Sequence, residues 1–459
     1  MFRRTRAKAI GVSGGLLLAL LGIAPSAQSQ QKHDRVVLRI PQWVTQSPSL
    51  GLFAAVDLDC ANDRGWPVGA LGRIAVTRAS IGTEDGLDGT VYTFPSGALR
   101  ITNKGCLIEE SRVNSILHSQ FDSTWLAGNV TGTANAGIAP DKTTTAVLVV
   151  SNTSVVSHVY QSNPGLTLTA AGYSYSVYAK ANGYGFANVV ATTGVSKTVR
   201  YSAVVNLTTG AVTQNGTAGS PTGTGSSAVC YANGWCRIQL QLTATADTTG
   251  SSMTLTGVAT GTPTVDVNLN PTDAGDGTSG VLFWGAQIEL GTFTTSYIPT
   301  TTVAVTRAAD VATLVLPAGA CSTTACSVLA IGTPAAPAGF STNQFFVEIG
   351  DGTVNNRLGL FRTSSSGLPA FINTVAGNAV QPFTATALTS NTQNKLIGFN
   401  NTTSSKLFTT AGNLSASLSQ TNVASVKTLA MGQLSTANTS FINGYISRIT
   451  VAPFSLLNN

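Results

Sequence analysis

The sequence predicts an all-β protein made of tandem β-sandwiches with a short N-terminal β segment ahead of them. Three observations predict it. Charged residues make up only 10% of 459 positions, too few for long charged helical faces, while 47 glycines accompany abundant Thr, Ser, Asn and Val. That mixture favours β-branched strands joined by tight turns. Apolar residues recur with period two, as in Tyr173, Tyr175 and Val177 against Ser174 and Ser176, or Ile238, Leu240 and Leu242 against Arg237, Gln239 and Gln241. This is the pattern of strands with one buried face. Turn signals separate such runs at short intervals, and 43% hydrophobic residues supply a core that a disordered chain would lack.

Residues 1–29 read as a secretory signal. Arg3, Arg4, Arg6 and Lys8 precede an apolar run from Ile10 to Ala24, and Ala27 and Ser29 supply small residues before a cut at Gln30. The alternative is an uncleaved anchor, but the run is shorter than the roughly 20 residues of a spanning helix. No later segment is apolar enough to span a membrane. The formal charge of +6 comes mostly from this leader; beyond it 21 basic residues face 19 acids. A nucleic-acid protein carries a basic patch on its folded domain, so nucleic acid is not an expected partner.

Residues 30–115 form the N-terminal β segment, with short strands around Arg35–Ile40, Arg73–Ser80, Thr90–Phe94 and Ala98–Ile101. Residues 116–310 hold eight or so strands, among them Ala146–Val150, Tyr173–Lys180, Trp235–Thr243 and Val281–Trp284, enough for a two-sheet sandwich of jelly-roll type. Residues 311–459 repeat the class in a second sandwich, with strands such as Ser327–Ile331, Gln344–Ile349, Arg357–Phe361 and Phe441–Thr450.

Six cysteines accord with export. Pairing sequence neighbours gives Cys60–Cys106, Cys230–Cys236 and Cys321–Cys326, one of fifteen connectivities. Zinc sites favour CxxC spacing or nearby His, and neither occurs, so disulfides in an oxidising compartment are expected.

Several stretches carry a resemblance. Leu107–Asn114 (LIEESRVN), Tyr175–Gly183 (YSVYAKANG), Phe283–Gly291 (FWGAQIELG), Ser296–Thr300 (SYIPT) and Val305–Asp310 (VTRAAD) are similar, in order, to elements of bacteriophage tail-fibre and head-fibre-like proteins, with Thr77–Ser80 (TRAS) ahead of them. The C-terminal unit resembles concanavalin-like (laminin-G-like) sandwiches, through Phe441–Ile449. The resemblance implies a jelly-roll carbohydrate-binding-like domain followed by a lectin-like domain, with a glycan or polysaccharide as partner and no transferable catalytic motif. Virion proteins lack secretory signals, so the leader favours an exported bacterial protein built from the same modules.

The catalytic inventory is thin. Histidines occur only at 33, 118 and 158, and no GxSxG elbow, HExxH or P-loop is present. Glycosidases need two carboxylates across the scissile bond; after Asp310 the only acids are Glu348 and Asp351, which read first as a strand-end Glu and an Asp-Gly turn. Glu109 and Glu110 are neighbours and face opposite ways on a strand. For sugar stacking the candidates are Trp125, Tyr184, Tyr231 and Trp235, with Tyr184 expected to be exposed at its Asn-Gly turn and Trp284 assigned to the core. A structural calcium ion would draw on Asp273, Asp276 and Glu289, although Asp273 to Asp276 also reads as a plain turn. The leading expectation is a secreted or cell-surface glycan-binding protein. The alternatives are a secreted polysaccharide hydrolase or lyase without a local motif, and a subunit of an extracellular fibre or adhesin, which would be a homo-oligomer.

Overall fold

The computed structural model describes residues 56–453, apart from 63, 67–73, 122–123, 163–165, 195–196, 246–249, 323, 338–339, 402–403, 410–414, 424–425 and 435–438. The leader and the Arg35–Ile40 strand lie outside the described residues. All described strand pairs are antiparallel, and no described helix is long and apolar enough to cross a membrane.

The middle of the chain folds as a sandwich of two six-stranded sheets. One runs, in spatial order, Val130–Gly137, Ala146–Ser151, Gly280–Leu290, Ala171–Asn182, Trp235–Ala244, Thr222–Cys230. The other runs Val212–Ala218, Val199–Asn206, Phe186–Thr193, Ser252–Val258, Val159–Gln161, Leu126–Gly128. The period-two faces meet as expected. Tyr175, Val177, Ile238, Leu240, Phe283 and Ile288 from the first sheet pack with Val189, Ala191, Val205, Met253 and Leu255 from the second. Trp284 is buried on the other face of its sheet with Tyr178, Trp235 and Tyr297.

A second sandwich is shared between the two ends of the chain. Its eight-stranded sheet carries Gly444–Ala452 between Val56–Asp59 and Ala325–Pro334, and Gly105–Ile108 pairs along the start of Gly444–Ala452. In its seven-stranded sheet, Val311–Val315 lies between the edge strand Ala75–Thr77 and Thr428–Met431. Of the stretch expected to stand alone as an N-terminal β segment, the strands Val56–Asp59, Arg64–Trp66, Ala75–Thr77, Arg100–Thr102 and Gly105–Ile108 therefore join the C-terminal sandwich, while Gly82–Asp85 and Val91–Phe94 pair with each other and Val91 packs beside Trp284. The physical reason is burial. A few short strands cannot cover their own apolar faces, so Val56, Leu58, Cys106 and Ile108 share one core with Val328, Phe346, Leu396, Leu429 and Ile449. The Cys60–Cys106 disulfide fastens the segment there, and Cys230–Cys236 and Cys321–Cys326 are also bonded.

The middle sandwich is thus an insertion, and its two connections run side by side. Arg112–Asn114 on the way in pairs with Val305–Arg307 on the way out. At this neck sits a buried ionic cluster. Asp310 accepts from Arg78 at 2.7 Å and, more closely, from Arg100; Arg100 also pairs with Glu109 at 2.8 Å, and Arg307 lies 3.4 Å from Glu109. None of the five side chains is more than 6% exposed. Ions taken out of water cost several kcal/mol each unless their remaining donors and acceptors are met. Here carbonyls do much of that work: Arg78 donates to Pro95, Ala98 and Ser80, and Arg100 to Thr83. Burial alone would raise the Glu109 pKa, but Arg307, Arg100 and two hydrogen bonds from Ser296 outweigh it and hold the carboxyl at about 2.

Asp310→Asn leaves Arg78 and Arg100 without their shared anion. Urea unfolding followed by tryptophan fluorescence is expected to show a loss of about 3–5 kcal/mol. A loss below about 1 kcal/mol would show that the cluster is not what closes the neck.

Candidate functional site

Beside the neck, a cavity of about 320 Å³ opens to the surface, within the size range of small-ligand sites. Three pieces of backbone wall it. The first is the loop from Ile116 to Phe121, contributing His118, Gln120 and Phe121; the second is the edge strand at Ala134 and Asn135 with Thr145 nearby; the third is Thr300 to Thr302.

Each wall is held by a traceable contact. The His118 amide donates to the Thr301 carbonyl at 2.7 Å, and the Thr300 hydroxyl donates to the Ile116 carbonyl at 2.6 Å. Ser119 Oγ accepts from the Thr300 amide at 2.8 Å and lies 2.7 Å from the Tyr297 hydroxyl. Trp125 Nε1 donates to the His118 carbonyl at 3.1 Å, and Trp284 Nε1 to Thr145 Oγ1 at 3.0 Å. On the edge strand the ladder jumps from Thr133↔Leu148 to Gly137↔Ala146, so residues 134–136 bulge outward against a single partner residue. Such bulges re-aim side chains and recur beside functional sites.

The backbone is strained at this place. His118, Phe121 and Asn135 have φ of 53°, 64° and 55°. Asn tolerates the left-handed region, but a bulky residue such as Phe seldom enters it. Such conformations persist where surrounding contacts over-determine them, and they cluster at functional sites. The lining groups are two amides, four hydroxyls, an imidazole and a buried phenyl ring, with no Asp, Glu, Lys or Arg. The arrangement can exchange hydrogen bonds with a hydroxyl-rich, uncharged ligand; it offers no nucleophile activated by a base and no facing carboxylates.

The residues singled out from the sequence lie mostly elsewhere. Trp125 is 5% exposed, stacked on Tyr160 at 5.5 Å, so it supports the cavity's His118 from beneath and shows no face to a ligand. Trp235 is 2% exposed in the Trp284 cluster. Tyr184, expected at the surface, is 9% exposed, because the Asp276 loop folds back and its amide donates to the tyrosine hydroxyl at 3.0 Å. Tyr231 donates to Asp85 at 3.0 Å, and a Cβ on Gly89 would come within 2.4 Å of its own Cβ. Trp125, Trp235 and Tyr184 are thus buried, while Tyr231 is half-buried with Lys104 5.9 Å over its ring.

The acids are likewise occupied. Glu348 pairs with Arg357 at 2.9 Å, and Asp351 accepts from Thr353 and Asn356 in its turn. Asp273 accepts from the Thr264 amide, Asp276 caps the amides of Thr278 and Ser279, and Glu289 is buried against Thr295. Asp276 and Glu289 flank opposite ends of Gly280–Leu290, roughly 30 Å apart at the rise of a strand. The three therefore cannot share one calcium ion, and no group of three or more His, Cys, Asp or Glu among the described residues could hold a metal. Two acids that sequence reading passed over, Glu84 and Asp85, are neighbours on Gly82–Asp85, and both are buried. Asp85 binds Tyr178 and Tyr231, while Glu84 accepts from Thr102.

The cavity residues were missed for a definable reason. Thr, Asn and Gln are common throughout this chain, so they stand out only by context. The available signals were Asn135 enclosed by Gly132 and Gly137, and three threonines directly after Pro299.

Fold and cavity together define a β-sandwich protein with a neutral, hydrogen-bonding pocket. No protein-family model and no curated protein matches the chain. Among solved structures, the CBM40 module of the Ruminococcus gnavus IT-sialidase, solved bound to alpha2,3 sialyllactose, is similar over 30% of this chain and 80% of that one, at 16% identity and a TM-score of 0.26. Domains LG4-5 of the mouse laminin alpha1 chain are similar over 65% and 85%, at 11% identity and a TM-score of 0.22. The CBM22-1–CBM22-2 tandem of Paenibacillus barcinonensis Xyn10C is similar over 76% and 98%, at 9% identity and a TM-score of 0.22. Likenesses at this level carry no argument about this chain, whose reading rests on its own residues.

Burial pushes the Glu84 carboxyl up to about 8 from an ordinary 4.5, against the pull of Thr102 and Arg100. The unfolded chain ionises Glu84 first, so folding takes up a proton between these values. Stability is expected to fall as pH rises from about 4.5 to about 8 and then to level off, by a few kcal/mol. Glu84→Gln should flatten that slope in urea titrations across the window. An unchanged slope would contradict the assignment.

Proposed function

We propose that this is an exported protein that binds a glycan in the cavity between Ile116–Phe121, the Asn135 bulge and Thr300–Thr302. The observation that carries the reading is the coincidence of three left-handed non-glycine residues with a pocket of balanced donors and acceptors. Hydroxyls and side-chain amides both donate and accept, as sugar hydroxyls do. Export is supported by the leader-like residues 1–29 and by three disulfides, which persist in oxidising compartments. The likeness of the Leu107–Asp310 motifs to tail-fibre-like modules points the same way, since such modules serve surface or glycan recognition.

Asn135→Gly is the informative variant, because glycine accepts the left-handed backbone and removes only the amide side chain. On an oligosaccharide array the purified protein is expected to retain at least one class of glycan, and Asn135→Gly to weaken that binding about tenfold. Its unfolding midpoint should stay equal or rise slightly. Full binding by Asn135→Gly, or no binding by the parent, would overturn the reading. Release of reducing ends or unsaturated products in parallel would move the protein to the hydrolase or lyase class.

A further inference from the structure

The cavity's surroundings allow a sharper statement about its ligand, resting on the glycan-binding reading above. We infer that it takes the uncharged end of a glycan and discriminates against sialylated, uronylated and sulfated ones.

Anionic sugars are recognised where a cation, above all the fork of an arginine, can meet the carboxylate or sulfate as it leaves water. No lining residue here carries a fixed positive charge. The arginines packed nearest the neck are committed elsewhere. Arg78, Arg100 and Arg307 hold Asp310 and Glu109; Arg112 pairs with Glu110 at 2.7 Å and lies over the Phe293 ring; Arg237 lies over the Tyr178 ring and donates to the Thr295 carbonyl at 2.7 Å. A carboxylate entering the cavity would lose water without gaining a counter-charge, which is costly.

The fixed charge that does reach the cavity is negative. Thr145 lines it, and its hydroxyl lies 2.6 Å from that of Thr143, which donates to Asp141 at 2.6 Å. Asp141 is thus two hydrogen bonds from the ligand space, and its charge is also felt at the Tyr297 hydroxyl, which lies 2.7 Å from Ser119 Oγ. Because the Thr143 proton goes to Asp141, Thr145 gives its own proton to Thr143, which leaves the Thr145 oxygen to accept from a sugar hydroxyl and to oppose an anion. Together with a volume near the lower end of small-ligand sites, it favours a chain end over a long stretch of polymer.

The test compares uncharged oligosaccharides with matched sialylated, uronylated and sulfated counterparts by isothermal titration against the purified protein. Uncharged ligands are expected to bind at least about tenfold more tightly, the usual scale of an unmet buried charge or more. Asp141→Asn is expected to narrow the difference by roughly three- to tenfold. Equal or tighter binding of the charged members, or a ratio unmoved by Asp141→Asn, would overturn the inference and leave glycan binding standing. Binding of neither set would overturn the glycan-binding reading, and this inference with it.

Discussion

Asp310 accepts hydrogen bonds from two arginines at a point water does not reach, and the rest of the molecule is arranged around that point. Arg78 and Arg100 come from the first part of the chain, Glu109 from the connection just before the Arg112–Asn114 strand that leads to the inserted sandwich, Arg307 from the Val305–Arg307 strand that leaves it, and Asp310 from the connection after that strand. The backbone closes the same loop: the Asp310 amide donates to the Glu109 carbonyl at 2.9 Å, and the Glu109 amide to Asp310 at 3.0 Å. Five ionised side chains with three positive and two negative charges would be a poor way to gain stability alone, since apolar residues often serve as well. Their geometric demand is what distinguishes them. Each arginine fork fits its partners in one arrangement, so the entry and exit of a domain of nearly 200 residues are brought into a single register.

That constraint explains what the sequence signature means. The TRAS, LIEES, SYIPT and VTRAAD stretches are far apart in the chain, yet they supply Arg78, Glu109, Ser296, Arg307 and Asp310 to one cluster. Asn114 extends it, donating to the Ala286 and Ile298 carbonyls and accepting from Ile288. The signature therefore marks how an inserted sandwich is attached. It does not mark where a ligand binds. The cavity depends on it indirectly: Ser296 is fixed by Glu109 and Arg100, and the chain from there to Arg307 carries Thr300 to Thr302 into the wall.

Strand patterns and two of the disulfides, Cys230–Cys236 and Cys321–Cys326, were legible because both are local: alternation within eight residues, or cysteines five or six positions apart; Cys60–Cys106, 46 residues apart, followed only from pairing neighbouring cysteines. The division of the second sandwich between chain ends was not, since nothing in Val56–Asp59 records that its partner is Gly444–Ala452. The aromatic expectations failed for a related reason. Alternation tells which residues share a face, but Tyr184, Trp235 and Trp125 needed knowledge of what covers each face. Strain at Phe121 and His118 is a property of backbone angles set by tertiary contacts, so no reading of residue types could have found it.

The central claim is that scaffold and site are separate, the first at the ionic neck and the second in the cavity beside it. A crystal structure of the protein soaked with an uncharged oligosaccharide tests this most directly. The sugar is expected between His118, Asn135 and Thr301, with the arginine cluster unmoved. A sugar seated instead on the shared C-terminal sandwich, with the cavity unfilled, would contradict the account.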